Sequence, residues 1–117
     1  VPGRMASVLC AAPTPLPDQL FVLDRDEDTG EFLDMLLTLC TFGIRASLLL
    51  VGSGVTALAS EHRGMPLARF PDMGLQQLMV EWPVTENAHG ELPESAITVD
   101  DRQIRDLYAQ VPRILHP

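Results

Sequence analysis

Residues 46–51 read Ala-Ser-Leu-Leu-Leu-Val, and this almost wholly apolar run is followed at once by Gly52-Ser53-Gly54. A short apolar run of this kind is typical of a strand that is covered on both faces of a sheet. The glycines predict a turn out of the strand, and Ser53 is placed to act as the N-cap of a short helix that reaches Ala59. A buried strand that leads directly into a helix indicates an α/β fold.

The segments before this run extend the same alternation. Met5–Ala11 predicts a first strand, and residues 14–27 follow it as a loop that is first proline-rich and then acidic. A helix is predicted over 29–42, with Asp28 as its N-cap. Gly43 is expected to end this helix in left-handed geometry, which glycine adopts at low cost.

The second half of the chain predicts three further strands and two helices. The strands are Gln77–Trp82, Ala96–Val99 and Arg113–His116, and between them lie a short helix at Thr85–His89 and a last helix capped by Asp100 with Gln103. The order β-α-β-α-β-α-β-α-β predicts a three-layer α/β/α fold with a five-stranded, mostly parallel sheet. Pro112 restricts the last strand to the edge of the sheet or to a strand start.

Length and charge narrow the function classes. The 117 residues are enough for one domain, and 46 % of them are apolar. The formal charge of −8 disfavours binding to nucleic acid or to an anionic membrane surface and favours a basic protein partner. Apolar runs are too short to span a bilayer and no secretory signal is found, so we expect a cytoplasmic protein. Val1–Arg4 read as a remnant of cloning, which leaves 5–117 as a single domain.

Candidate site residues are expected where parallel strands end. Cys10, at the end of the first predicted strand, has a thiol that helix N-termini could activate, although a small buried hydrophobe is the favoured interpretation. Gly52-Ser53-Gly54 can cradle an anion or simply form a tight turn. Trp82 ends the third predicted strand and suits either a subunit interface or the core.

Other residues are interpreted as structural. His62, His89 and His116 are scattered, so we predict no metal site, and we expect no cofactor. Cys40 lies on the apolar stripe of the first helix and is assigned to the core. Phe21-Val22-Leu23, in the predicted loop, are candidates for burial in an interface between subunits.

Several stretches resemble the DsrF/TusC branch of the DsrE/DsrF/DsrH (TusD/TusC/TusB) sulfur-relay family. They are Met5–Pro13 for the opening strand and loop, Glu31–Gly43 for the first helix, Ala46–Val55 for the second strand and its turn, and Val99–Leu115 for the closing helix and strand. The resemblance implies the same five-stranded fold, which is related to that of flavodoxin.

The resemblance also implies a function. Sulfur-carrying members of the family hold a persulfide on a cysteine after the third strand, but the corresponding stretch here, Val80–Asn87, contains no thiol. Persulfide chemistry needs a thiolate, which Thr85 cannot supply. Trp82 and Thr85 are therefore candidate binding residues, and Cys10 is the one candidate catalytic residue.

We expect a non-catalytic DsrF/TusC-like subunit of an intracellular sulfur-relay complex, either in sulfur oxidation or in tRNA 2-thiolation. Its partners would be DsrE/TusD-like and DsrH/TusB-like subunits, or other copies of itself. Two alternatives stay open. One is a sulfurtransferase that carries a persulfide on Cys10, and the other is a homo-oligomeric DsrE-like domain that binds a small molecule near Gly52.

Overall fold

A computed structural model of the chain describes residues 16–25, 27–81 and 95–117. The described strands are β1 (Gln19–Leu23), β2 (Ala46–Leu50), β3 (Glu61–His62), β4 (Met65–Pro66), β5 (Leu78–Glu81), β6 (Ala96–Val99) and β7 (Arg113–Leu115). The α-helices are α1 (Gly30–Thr41) and α2 (Asp101–Gln110), and two 3₁₀ segments cover Gly52–Ala59 and Leu67–Met73. Within these residues, neither α-helix has the length and apolar character needed to cross a membrane.

Five of the strands form one parallel sheet in the order β6-β5-β2-β1-β7. Strand β2 is central, and all five of its residues are buried, as the run at 46–51 predicted. Strand β7 lies at the edge of the sheet beside β1, which agrees with the prediction from Pro112. The prediction of an α/β fold with a five-stranded, mostly parallel sheet is therefore confirmed.

Strand β1 corrects the sequence-based prediction. Gln19–Leu23 was assigned to a loop, and Phe21-Val22-Leu23 to an interface between subunits, but these residues form a strand between β2 and β7. Leu20 to Leu23 are at most 1 % exposed, so this apolar run belongs to the core of the chain itself. The strand predicted at Met5–Ala11 lies outside the described residues.

Side chains of the sheet alternate between two hydrophobic clusters, because successive residues of a strand point to opposite faces. Phe21 and Leu23 lie in the cluster that contains Phe32 and Leu36 of α1, and the Phe21 and Phe32 ring centroids are 5.0 Å apart. Leu20 and Val22 of β1 lie in the other cluster, together with Ile104 and Leu107 of α2. The two helices thus contribute to different clusters, while the three-layer arrangement as a whole stays a prediction.

The residues predicted at the ends of the helices are confirmed in part. The Asp100 side chain accepts a hydrogen bond from the Gln103 backbone N–H at 2.9 Å, and the Gln103 side chain accepts one from the Asp100 N–H at 3.0 Å, which confirms the predicted cap. Gly43 has φ of 79°, as expected after α1. Asp28 is not the N-cap of α1, because it has φ of 56° and Thr29 takes the N-cap position without a side-chain hydrogen bond.

The connection after β2 also differs from the prediction. Gly52–Ala59 is a 3₁₀ segment whose N-cap is Val51, and Ser53 does not cap it. The next stretch contains the small antiparallel hairpin of β3 and β4, for which no strands were predicted. The helix predicted at Thr85–His89 lies outside the described residues.

Candidate functional site

The carboxyl ends of the central strands meet at one edge of the sheet. Leu23 of β1 pairs with Leu50 of β2. Leu48 of β2 pairs with Leu78 of β5, and Leu50 lies two residues further along β2. The segments that follow these strands therefore lie side by side, as in other open parallel sheets. The backbone N–H of Gly52, after β2, donates a hydrogen bond of 2.9 Å to Oε1 of Glu81, the last residue of β5.

The backbone geometry at this edge requires both glycines of Gly52-Ser53-Gly54. Gly52 has φ of +53°, which a residue with a side chain rarely adopts. Gly54 lies so close to β1 that an added Cβ would be 1.9 Å from the backbone oxygen of Leu23. This geometry supports the tight-turn interpretation. The anion-binding interpretation stays a prediction, and an anion would have to compete with Glu81 for the Gly52 amide.

An open cleft of about 360 Å³ lies beside this turn. It is lined by Val51, Glu81, Asp101, Ile104, Arg105 and Tyr108. Val51 and Ile104 are apolar, while the remaining residues supply two carboxylates, one guanidinium and one phenol. Such a lining suits a small polar ligand with charges of both signs, because complementary groups are then available for each charge.

Tyr108 is a neutral hydrogen-bond donor in the cleft. Burial raises the pKa of its phenol, and the negative charges of Glu81 and Asp24 raise it further. The phenol therefore keeps its proton at neutral pH and can donate it in a hydrogen bond. Its side chain is 40 % exposed, so a ligand in the cleft can reach it.

A second polar cluster joins the β3–β4 hairpin to α1. Asp34 Oδ1 lies 2.7 Å from His62 Nε2 and accepts a hydrogen bond of 2.7 Å from Arg63 Nε, while Oδ2 accepts one of 2.8 Å from Arg63 Nη2. The hydrogen bonds from Arg63 and then from His62 hold the pKa of the Asp34 carboxyl well below its usual range. Because the Asp34 carboxylate is already bonded to His62 and Arg63, we interpret this cluster as structural. It links the β3–β4 hairpin to α1, and we call it the Asp34 clamp.

The predicted site residues have different outcomes. Gly52, Ser53 and Gly54 lie at the carboxyl edge, whereas Cys10, Trp82 and Thr85 lie outside the described residues. Cys40 is buried in the cluster beside α1, as predicted, and burial raises the pKa of its thiol. Among the described residues, no group of three or more potential metal ligands is found.

Sequence reasoning missed Glu81 and the polar residues of α2 that line the cleft. Ile104, Leu107 and Val111 are buried in and directly after α2, whereas Tyr108 is exposed. One signal was available for Glu81, since a carboxylate at the end of an otherwise buried strand requires a polar partner. That partner, the Gly52 amide, is 29 residues away in sequence.

Comparison with known proteins does not assign a family. No protein-family model matches the chain. No curated protein matches it either. The resemblance to the DsrF/TusC branch consequently stays a prediction from the sequence.

Proposed function

We propose that this chain is a non-catalytic, DsrF/TusC-like subunit of an intracellular sulfur-relay complex. The supporting observation is Glu81. It ends β5, which is the third strand of the parallel sheet in chain order among the residues that the structure describes, and the family resemblance places the sulfur-carrying cysteine directly after the third strand. Glu81 is held there by the Gly52 amide, and a carboxylate cannot carry persulfide sulfur.

The state of Cys40 is consistent with this proposal. Its side chain is only 6 % exposed, and burial raises the pKa of the thiol. A buried neutral thiol is a poor nucleophile, because the thiolate is the reactive form. Cys40 is therefore suited to packing, which is consistent with a chain that binds and orients a subunit that has the reactive cysteine.

Co-expression with the DsrE-like and DsrH-like subunits of the same genome tests the proposal. We expect native mass spectrometry to show a stoichiometric complex. We also expect a polysulfide, which gives up one sulfane sulfur to an attacking thiolate and leaves as the shortened polysulfide, to add mass to the DsrE-like subunit alone. A chain that stays monomeric beside both partners would contradict the proposal. Added mass on this chain that disappears in the Cys10→Ser variant would instead establish the sulfurtransferase alternative.

The cleft favours a second candidate function, a binding domain for a small zwitterion such as a free amino acid. Arg105 would bind the carboxylate, and Glu81 with Asp101 would bind the ammonium group. Nuclear magnetic resonance titration with the common amino acids tests this idea. We expect shifts at residues of the cleft that the Arg105→Gln variant loses and that Arg45→Gln keeps, since Arg45 pairs with Asp18 elsewhere. Equal binding by both variants would exclude the cleft as the site.

A further inference from the structure

One stripe of α1 faces outward. Glu31, Met35, Thr38 and Phe42 follow one another at intervals of four, three and four residues, which places them on one side of the helix. All four are exposed, and Phe42, directly after the helix, is 76 % exposed. Met35 is 47 % exposed. We call these four residues the α1 stripe.

The polar atoms of this side are partly engaged within the helix. The Thr38 hydroxyl donates to the Asp34 backbone oxygen at 2.8 Å, and the Thr41 hydroxyl donates to the Leu37 oxygen at 2.9 Å. Their hydroxyls are thus directed to the helix backbone. Between Met35 and Phe42 the stripe contains one polar residue, Thr38, whose hydroxyl is already bonded within the helix.

The other end of the stripe is acidic and concave. An open cleft of about 230 Å³ is lined by Asp28, Glu31, Phe32, Met35, His116 and Pro117. It shares Glu31 and Met35 with the α1 stripe, so the two form one continuous surface. The cleft has room for an apolar side chain beside Phe32 and Met35, and the acidic residues Asp28 and Glu31 also line it.

We propose that the α1 stripe and this cleft are the docking surface for a partner subunit that presents apolar side chains flanked by lysine or arginine. This inference rests on the proposed function and identifies the surface through which the subunit binds. Exposed aromatic and methionine side chains such as Phe42 and Met35 are enriched at interfaces. The carboxylates select a basic partner, because opposite charges attract across the contact.

A second copy of this chain fits the surface less well. The chain has a net charge of −8 and no lysine, so two copies repel each other. Four of its eight arginines are already paired with aspartates in the same chain: Arg25 with Asp24, Arg45 with Asp18, Arg63 with Asp34 and Arg69 with Asp72.

Binding to the co-expressed DsrE-like and DsrH-like subunits tests the surface. We expect Phe42→Ser to weaken the complex about tenfold or more, as for a central interface residue. Glu31→Gln should weaken it less, with the larger effect at low salt. Met73→Ser is the control, because Met73 is 49 % exposed but lies outside the stripe. A complex of unchanged affinity in the Phe42 and Glu31 variants would overturn the surface and leave the proposed function intact.

A synthetic probe keeps the surface testable if those subunits do not bind at all. The probe is a 14-residue amphipathic helical peptide of leucine and lysine, and its control has glutamate in place of lysine. We expect the lysine peptide to shift backbone resonances over residues 31–42, and the glutamate peptide to shift none of them. Shifts that map elsewhere, or equal binding by both peptides, would refute the proposed surface.

Discussion

Replacement of Gly54 by alanine tests how closely the turn after β2 packs against β1. The new Cβ would lie 1.9 Å from the Leu23 backbone oxygen, 2.6 Å from its carbonyl carbon and 3.1 Å from the Asp24 nitrogen. An ordinary carbon–oxygen contact is roughly 3.3 Å, so the two segments must separate by roughly 1.4 Å. All three obstructing atoms are backbone, so rotation of a side chain cannot relieve the clash.

The energetic cost follows from these distances. Overpacking a well-ordered core typically costs about 1–3 kcal/mol. The Leu23 oxygen also accepts a 3.0 Å hydrogen bond from the Val51 N–H, and losing it would add about 1 kcal/mol. We therefore expect Gly54→Ala to lower the free energy of unfolding by about 2–4 kcal/mol.

Urea denaturation followed by circular dichroism measures this change. The matched control is Gly30→Ala, because nothing lies within 4 Å of a Cβ at Gly30, the first residue of α1. There we expect no loss, or a gain of up to about 1 kcal/mol, since alanine is the better helix former. If the free energy of unfolding of Gly54→Ala stays within about 0.5 kcal/mol of the wild-type value, Gly54 does not pack closely against the Leu23 backbone.

Three further predictions concern titrating groups. The pKa of Asp34 in the folded chain lies below its ordinary value of 3.8, so its ion pairs stabilise the fold above that pH and lose this effect as the pH falls below it. The stability difference between wild type and Asp34→Asn should accordingly shrink in acid, and a difference that is independent of pH would contradict the clamp. Tyr108 is the only tyrosine, so absorbance at alkaline pH reports its titration alone. Glu81→Gln should lower its pKa while Asp101→Asn leaves it unchanged, and the opposite pattern would refute the assigned cause. Cys40 should be alkylated far more slowly in the folded chain than in urea, as read by mass spectrometry of its peptide, and equal rates would show that the thiol is accessible.

Local signals in the sequence were reliable where the interacting residues are neighbours along the chain. The buried run at 46–51 predicted the central strand, and the Asp100–Gln103 cap was confirmed atom by atom. Gly43 was confirmed as the residue after α1 with positive φ. Each of these depends on backbone preferences or on contacts within about four residues, which a short window of sequence contains.

Predictions that depended on pairing between distant segments were less successful. Two apolar runs precede α1, and the sequence pattern assigned the strand to Met5–Ala11 while it left Gln19–Leu23 in a loop. The structure places Gln19–Leu23 beside β2, where it pairs in register from Ala46 to Leu50. Periodicity alone did not identify Gln19–Leu23 as a strand, because the run is short and its assignment depends on pairing with β2 and β7, which are distant in sequence.

The same reasoning applies to the candidate site. By itself, the sequence determined the α/β class, the central strand, the acidic charge and the lack of a thiol in Val80–Asn87. Only the tertiary structure decided that Glu81 binds the Gly52 amide, that Gly54 abuts Leu23, and that the cleft brings Glu81 together with Tyr108. These contacts join residues roughly 30 positions apart, and their existence depends on sheet order and on backbone distances that arise when the chain packs.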